Sequence, residues 1–259
     1  MTVLLVDVGN TRIKWARLVG RRLGKGRAAA HSRWSSADYA RQLFGSGPRP
    51  ERMLVASVAG PRVKERLAAA ARRARVEARF VSVPRHGGGV QVGYPEPWRL
   101  GVDRFVAAVG AHQLFKGTAV CVVGVGTAMT IDLIDAAGRH RGGVIIPAPE
   151  LMVGTLFENT HGIRRRARGG AQAAAGLFGR STRAGVLQGA RYAAAALIDR
   201  AVHEAEALLE HRPLVVMTGG EAPSVRPLVM SHCVGVPDLV LRGLAVLATA
   251  AQPKAARLI

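Results

Sequence analysis

One feature limits the fold more than any other: the chain repeats itself. The stretch "VLLVDVGNTRIKWARL", Val3 to Leu18, returns in outline as "AVCVVGVGTAMTIDLID", Ala119 to Asp135. Each copy reads as an apolar strand, a tight Gly-containing turn and a second strand, since short apolar or β-branched runs bounded by Gly and Asn are strand signals. With the turns laid over each other, Gly9 falls on Gly126 and Thr11 lies near Thr127. Asp7, the one charge in its strand, falls on Gly124.

The segments after the two copies are also similar. After the first come a third strand near Ala28–Ser32, a short buried strand within Met53–Gly60 and a helix over "PRVKERLAAAARRARVE". Pro61 suits the first turn of that helix, and Val63, Leu67, Ala70, Ala71 and Ala74 share one face. A strand "ARFVSV", a loop "PRHGGGVQVGYPEPWRLG" and a helix "VDRFVAAVGAHQLF" complete the half. After the second copy come a turn at "DAAGRHR", a third strand "GGVIIPA", and a long helix from Thr182 to about His211. A strand "PLVVMTGG" and a helix "PDLVLRGLAVLATAA", capped by Asp238, close the chain. The expectation is two similar α/β domains, residues 1–115 and 116–259.

The totals narrow the function. An apolar content of 49% over 259 residues is enough to bury a sizeable core. The first apolar run is cut at Asp7 and has no basic lead, so it does not read as a secretory signal, and no run is long enough to span a membrane. Cys121 and Cys233 sit far apart in apolar surroundings with no CxxC spacing. A cytoplasmic, reduced protein is therefore expected. The net charge of +20 raises nucleic acid as a partner. Only five of the 37 basic residues are Lys, however, and the Arg residues are spread along the chain outside "RRARVEAR" and "HGIRRRARGG". No helix-turn-helix, zinc-finger or RRM pattern accompanies them, which argues against nucleic acid as the main partner.

Two familiar nucleotide motifs are decoys. "GRRLGKGR" lacks P-loop spacing and the Ser or Thr after its Lys. "GVGTAM" ends in Met where a dinucleotide fingerprint needs Gly, and it leads into the β-branched run "TIDLI" rather than a helix. "DVGNT" carries more information. A Gly turn can present several amides to a phosphate, and a carboxylate at the same mouth can hold Mg²⁺ through water. An ordinary Asn-containing turn with a solvated Asp fits those residue types equally well. "GTAMT" repeats the turn, and "MTGG" offers a third backbone-lined edge. In "GYPEPWRLGVDRF", Asp103 can take a proton from a hydroxyl attacking a phosphate, and Arg104 can fork onto a carboxylate. An Asp at a helix start also serves the helix dipole, so residue types alone leave both roles open.

Taken together, "DVGNT", "LGVDR", "GTAMTID" and "TGG", with Tyr94 ahead of "LGVDR", "GGVIIP" and the closing "LVLRGLAVLA", resemble the type III pantothenate kinases. That family also includes Bvg accessory factor-like proteins. The resemblance covers nearly the whole chain. It implies an acetate kinase/Hsp70/actin-like α/β fold of two ribonuclease H-like domains around a nucleotide cleft. It implies ATP- and Mg²⁺-dependent phosphorylation of pantothenate, the first step towards coenzyme A, by a homodimer. Carried over, Asp7, Val8, Gly9, Asn10, Thr11, Arg12, Ile13 and Lys14 form the ATP phosphate hairpin, with Asp7 holding Mg²⁺ through water and Thr127 touching ATP. Asp103 is the general base. Tyr94, Gly101, Val102, Asp103, Arg104 and Thr182 bind pantothenate. The family also uses a monovalent cation, K⁺ or NH₄⁺, held by an Asp where this chain has Gly124, and "PG" where it has Pro147–Ala148; one implied cation ligand is therefore missing. The alternatives are a non-catalytic accessory protein of the same fold and a kinase of another small hydroxylated acid.

Overall fold

Each copy of the repeat founds a mixed sheet of the same design. The computed structural model describes residues 1–168 and 176–250. The chain forms two compact units, Met1–Leu114 with the chain from Asp238 onward, and Phe115–Pro237.

In the first unit, β1 (Thr2–Val8) pairs antiparallel with β2 (Arg12–Val19), which in turn pairs with β3 (Arg22–Leu23) and β4 (Arg27–Ala30). Helix α1 (Ser36–Phe44) leads to β5 (Arg52–Ser57), and α2 (Pro61–Arg73) leads to β6 (Glu77–Phe80). Strands β5 and β6 extend the sheet in parallel beside β1. Parallel neighbours need crossovers, which α1 and α2 supply. The central strand β1 is covered on both faces, hence its almost unbroken apolar run. Leu4, Val6 and Val8 pack with Ile13, Met53, Val55 and Leu67, each buried side chain contributing about 1.5–3 kcal/mol.

The sequence reading missed α1. Only Tyr39 and Leu43 of its nine residues are buried, too few to set a period. Its signal was the capping pair: Ser35 Oγ accepts from Asp38 N–H, and Asp38 accepts from Ser35 N–H. The third strand lies at Arg27–Ala30, earlier than expected. The stretch read as loop holds a small hairpin, β7 (His86–Gly87) with β8 (Val90–Gln91), turning at Gly88 and Gly89, both at positive φ. Helix α3 (Val102–Leu114) comes next.

In the second unit, β9 (Val120–Val125), β10 (Ala128–Ile134) and β11 (His140–Pro147) form the antiparallel part. Helices α4 (Pro149–Asn159), α5 (His161–Arg166) and α6 (Thr182–Leu209) precede β12 (Leu214–Thr218). Short α7 (Ala222–Val225) then leads to β13 (Cys233–Gly235). Strands β12 and β13 lie parallel beside β9. The order β11-β10-β9-β12-β13 matches β3-β2-β1-β5-β6 strand for strand. Val123, Val125, Met129, Ile131 and Met217 pack on Ala194, Ile198 and Val202 of α6.

The last helix, α8 (Leu239–Thr249), rejoins the first unit, packing on α3 and β1. The boundaries expected from sequence had placed it in the second domain. Its buried Leu239, Leu241 and Leu244 give it an apolar surface, and Gly110 and Gly243 let its backbone approach α3 closely. Asp238 does not cap α8 through its side chain; it stands in a left-handed conformation at φ 55°. Residues 251–259 of the expected second domain, and Gly169 and Gly170 at the end of the Arg-rich run, lie outside the described residues.

Candidate active site

The site begins at the first hairpin. Val8 pairs with Ile13 and Asp7 with Lys14, and Gly9 N–H closes the turn on the Arg12 carbonyl at 3.0 Å. Val8 and Ile13 are fully buried, so at this turn they offer only backbone. Asn10, Thr11 and Arg12 are exposed. The result is a short amide-lined tip with a carboxylate and an ammonium at its root.

Asp7 faces away from the cluster of Leu4, Val6 and Val8, by strand alternation. Burial pushes its carboxyl up to about 7, Lys14 pulls it down, and the charges of Asp103 and Asp238 push it further up. Lys14 Nζ lies 3.7 Å from Asp238 Oδ1. Gly26 packs directly against that carboxylate: a Cβ there would lie 3.1 Å from Asp238 Cγ and make the Asp238 side chain shift. Asp7 thus feels one ammonium, that of Lys14, and two further carboxylates, those of Asp103 and Asp238.

This burial has a consequence for stability. The folded Asp7 keeps a proton between about pH 4 and 7 that the unfolded chain has lost. Asp7's contribution to the stability of the ligand-free protein therefore falls as pH rises through that window and is flat above it. Asp7→Asn should remove this slope. Thermal unfolding without nucleotide or Mg²⁺, at pH 5.5 and 8, reads it; an equal slope in both proteins would exclude the assignment.

Asp103 is the second residue of α3, where the helix dipole favours an anion. Arg104 N–H donates to its Oδ1 at 2.9 Å. Gly101 accepts from Phe105 N–H at 3.0 Å, and a Cβ on Gly101 would sit 2.7 Å from Asp103 Oδ1. Arg104 is buried, and its guanidinium donates to the Tyr94 hydroxyl at 3.3 Å. Arg85, which sequence reasoning passed over, holds the Tyr94 loop by donating to the carbonyls of Val92, Tyr94 and Pro95. Asp238 was read only as a cap, because its partner Lys14 is remote in sequence.

The second unit holds the equivalent hairpin, one residue shorter at the turn: Gly126 N–H bonds the Ala128 carbonyl at 3.0 Å. Val125 pairs with Met129 and Gly124 with Thr130. Gly124 therefore stands one step before the turn, as Asp7 does, and no side-chain oxygen occupies that step on its strand. A Cβ on Gly124 would sit 3.2 Å from Thr130 Oγ1. Asp132, two residues further along β10, is buried and accepts from His140 Nε2 at 2.8 Å. Thr127 is exposed at the turn. Thr182 opens α6 behind the cap that Ser181 Oγ makes to Ala184 N–H. In "MTGG", Gly219 at φ 108° presses on the Val125 backbone, where any Cβ would overlap the carbonyl. The first unit thus gathers Asp7, Lys14, Tyr94, Gly101, Asp103 and Arg104, while Gly124, Thr127 and Thr182 belong to the second.

The family model for type III pantothenate kinase matches residues 3–204. The chain belongs to this family. Its relative from Nitrosococcus oceani, a type III pantothenate kinase, is 35% identical over 248 residues, covering 94% of this chain and 92% of that protein. A solved structure described as a conserved putative Baf family transcriptional activator from Campylobacter jejuni matches this kinase with a TM-score of 0.57 at 18% identity, covering 93% and 94% of the two chains. Component A of the (R)-2-hydroxyglutaryl-CoA dehydratase of Acidaminococcus fermentans matches at 0.54 and 12%, covering 96% of each. These likenesses show the fold, the acetate kinase/Hsp70/actin-like arrangement of ribonuclease H-like units. Type III pantothenate kinases are phosphotransferases.

Proposed function

We propose that this kinase transfers the γ-phosphate of ATP to the 4′-hydroxyl of pantothenate. The observation that supports this best is the Asp103–Arg104 pair at the head of α3, with Asp103 near enough for its charge to raise the Asp7 carboxyl of the same unit. Asp103 takes the hydroxyl proton as the oxygen attacks the γ-phosphorus and the bond to ADP breaks. Arg104 forks onto the pantothenate carboxylate, with Tyr94 fixing its plane. Val102 and Gly101 place their backbone at the substrate, and Gly101 leaves room for the base. The tip Gly9–Arg12 and Lys14 receive the phosphates. Thr127 meets ATP and Thr182 meets pantothenate.

A Mg²⁺ ion fits the residues present. Asp7 is a partly buried oxygen donor among like charges, which a dication would relieve. Among the described residues no three His, Cys, Asp or Glu side chains converge to hold a metal alone. One carboxylate, waters and the nucleotide phosphates would complete its shell. When bound, Mg²⁺ neutralises charge on the transferring phosphate. A monovalent cation does not fit in the same way, because Gly124 offers no side-chain donor and Asp132 is engaged by His140.

We assign the active form to a homodimer. Val144 and Ile145 are exposed on edge strand β11, and Leu151 and Leu156 on α4, apolar side chains that a second copy would cover. Among the described residues no helix is long and apolar enough to cross a membrane. Two free buried cysteines, with the Cys121 thiol pushed by burial up to about 12, suit a reducing cytoplasm.

The test is ATP-dependent phosphorylation of pantothenate by the purified protein with Mg²⁺, in K⁺ and in Na⁺ buffer. Turnover is expected in both, within about twofold, because Gly124 gives its strand no side-chain oxygen with which to hold K⁺ in preference to Na⁺. No turnover in either buffer would overturn the assignment. Turnover only in K⁺ would show that groups other than residue 124 hold the ion.

A further inference from the structure

The turn that receives phosphate is held from behind by a histidine. His31 is 2% exposed and Tyr39 fully buried. His31 Nε2 lies 2.9 Å from the Gly9 carbonyl oxygen, and Nδ1 lies 2.7 Å from the Tyr39 hydroxyl. The His31 backbone N–H also reaches the Thr11 carbonyl at 3.4 Å. Trp34 lies edge-on to both rings, 6.5 Å from His31 and 5.2 Å from Tyr39. Arg66 of α2 fixes Trp34 by donating to its carbonyl at 3.0 Å.

We propose that His31 is a positioning residue for nucleotide binding; this rests on the reading of Gly9–Arg12 as the phosphate turn. A carbonyl oxygen can only accept, so Nε2 carries the hydrogen that Gly9 receives. Nδ1 is then the acceptor for the Tyr39 hydroxyl, which fixes the tautomer. In a trans peptide the C=O and the following N–H point in opposite directions, and no cis peptide occurs among the described residues. Drawing the Gly9 carbonyl inward onto a buried ring therefore aims the Asn10 N–H outward, on the exposed side of the turn. If that peptide flipped, it would present a carbonyl oxygen to phosphate and replace attraction by repulsion. Glycine at position 9 makes such a flip easy, because it moves readily between backbone regions. A rigid device is required to choose between the two states. Tyr39 supplies it from α1, one turn beyond the Ser35 cap.

The test measures nucleotide affinity alone, by calorimetric titration of ATP with Mg²⁺ and no pantothenate. His31→Leu keeps much of the volume and removes both side-chain bonds. Its Kd is expected to rise at least about tenfold, a typical consequence of losing a preorganised donor set. His31→Gln retains an N–H donor of similar reach and should restore Kd to within about threefold of the parent. Tyr39→Phe removes only the hydroxyl and should weaken ATP about threefold. The KM for pantothenate should stay within about twofold throughout, a split that general loss of stability would not produce. Folded His31→Leu or Tyr39→Phe protein with parental ATP affinity overturns the proposal. Should His31→Leu fail to fold, Tyr39→Phe decides it alone. A parent that binds no ATP would instead remove the phosphate-turn reading itself, and this role with it.

Discussion

Asp103→Asn is expected to lower kcat by about 10²- to 10⁴-fold, the range for loss of a general base, while ATP still binds within about twofold. Asn matches Asp in size and keeps an oxygen that can accept the Arg104 N–H now bonded to Oδ1. It is also well tolerated near a helix N-terminus, so α3 should start where it does now. What Asn cannot do is take the proton of an attacking hydroxyl. A second effect runs the other way. The Asp103 charge is one of the causes that raise the Asp7 carboxyl. Removing it should let Asp7 ionise at lower pH and strengthen Mg²⁺–nucleotide binding on the acid side, within that twofold. Steady-state kinetics beside ATP titration at pH 6 and 8 separates the two. Near-parental turnover would exclude Asp103 as the base and leave Asp238, the other carboxylate near Asp7, as the next residue to replace.

The sequence made the two sheets readable because each starts with a hairpin whose turn chemistry is local. Gly9 and Gly126 close their turns on residues two or three positions away, so the signal lies within one stretch. The alignment of Asp7 with Gly124 is likewise carried by the ladders, where both stand one step before the turn. What was not readable depends on distance along the chain. Asp238 looks like a helix cap in its own neighbourhood, and only the return of α8 to the first unit brings it to Lys14. His31 lies in "AAAHSRW", which carries no pattern, and its meaning comes from Gly9 before it and Tyr39 after it. Arg85 sits in a loop identified by composition alone; its partners are three carbonyls, which no side-chain pattern marks. Backbone partners and remote carboxylates leave no periodicity, and those are the groups that shape this site.

Gly243→Ala is expected to destabilise the protein by about 3 kcal/mol, the upper range for forcing bulk into a packed contact. By helix propensity the sign would be opposite, since Ala is favoured over Gly in a helix by about 1 kcal/mol. Contact decides it. A Cβ at 243 would overlap the Val106 carbonyl oxygen and lie 2.9 Å from Val106 Cγ1. Gly110 on the facing helix is also close-packed, its Cβ position 2.7 Å from the Leu239 carbonyl oxygen. Neither helix can yield by a rotamer change alone, because the nearest atoms met are backbone. Helix α3 must shift, and it carries Asp103 and Arg104 at its head. At about 2–4 °C per kcal/mol for a chain of this size, the melting temperature should fall by about 6–12 °C. Below that transition kcat should fall as well, because Asp103, the proposed base, moves with the helix. Gly189→Ala in α6 is the control. That glycine is exposed, and a Cβ there meets nothing within 4 Å. The same chemical change should there raise stability by about 0.4–1 kcal/mol and leave kcat alone. Two Gly→Ala substitutions of opposite sign would show that close packing of α3 on α8, rather than helix propensity, decides the outcome at position 243; equal signs would show that the contact is not as tight as the backbone geometry requires.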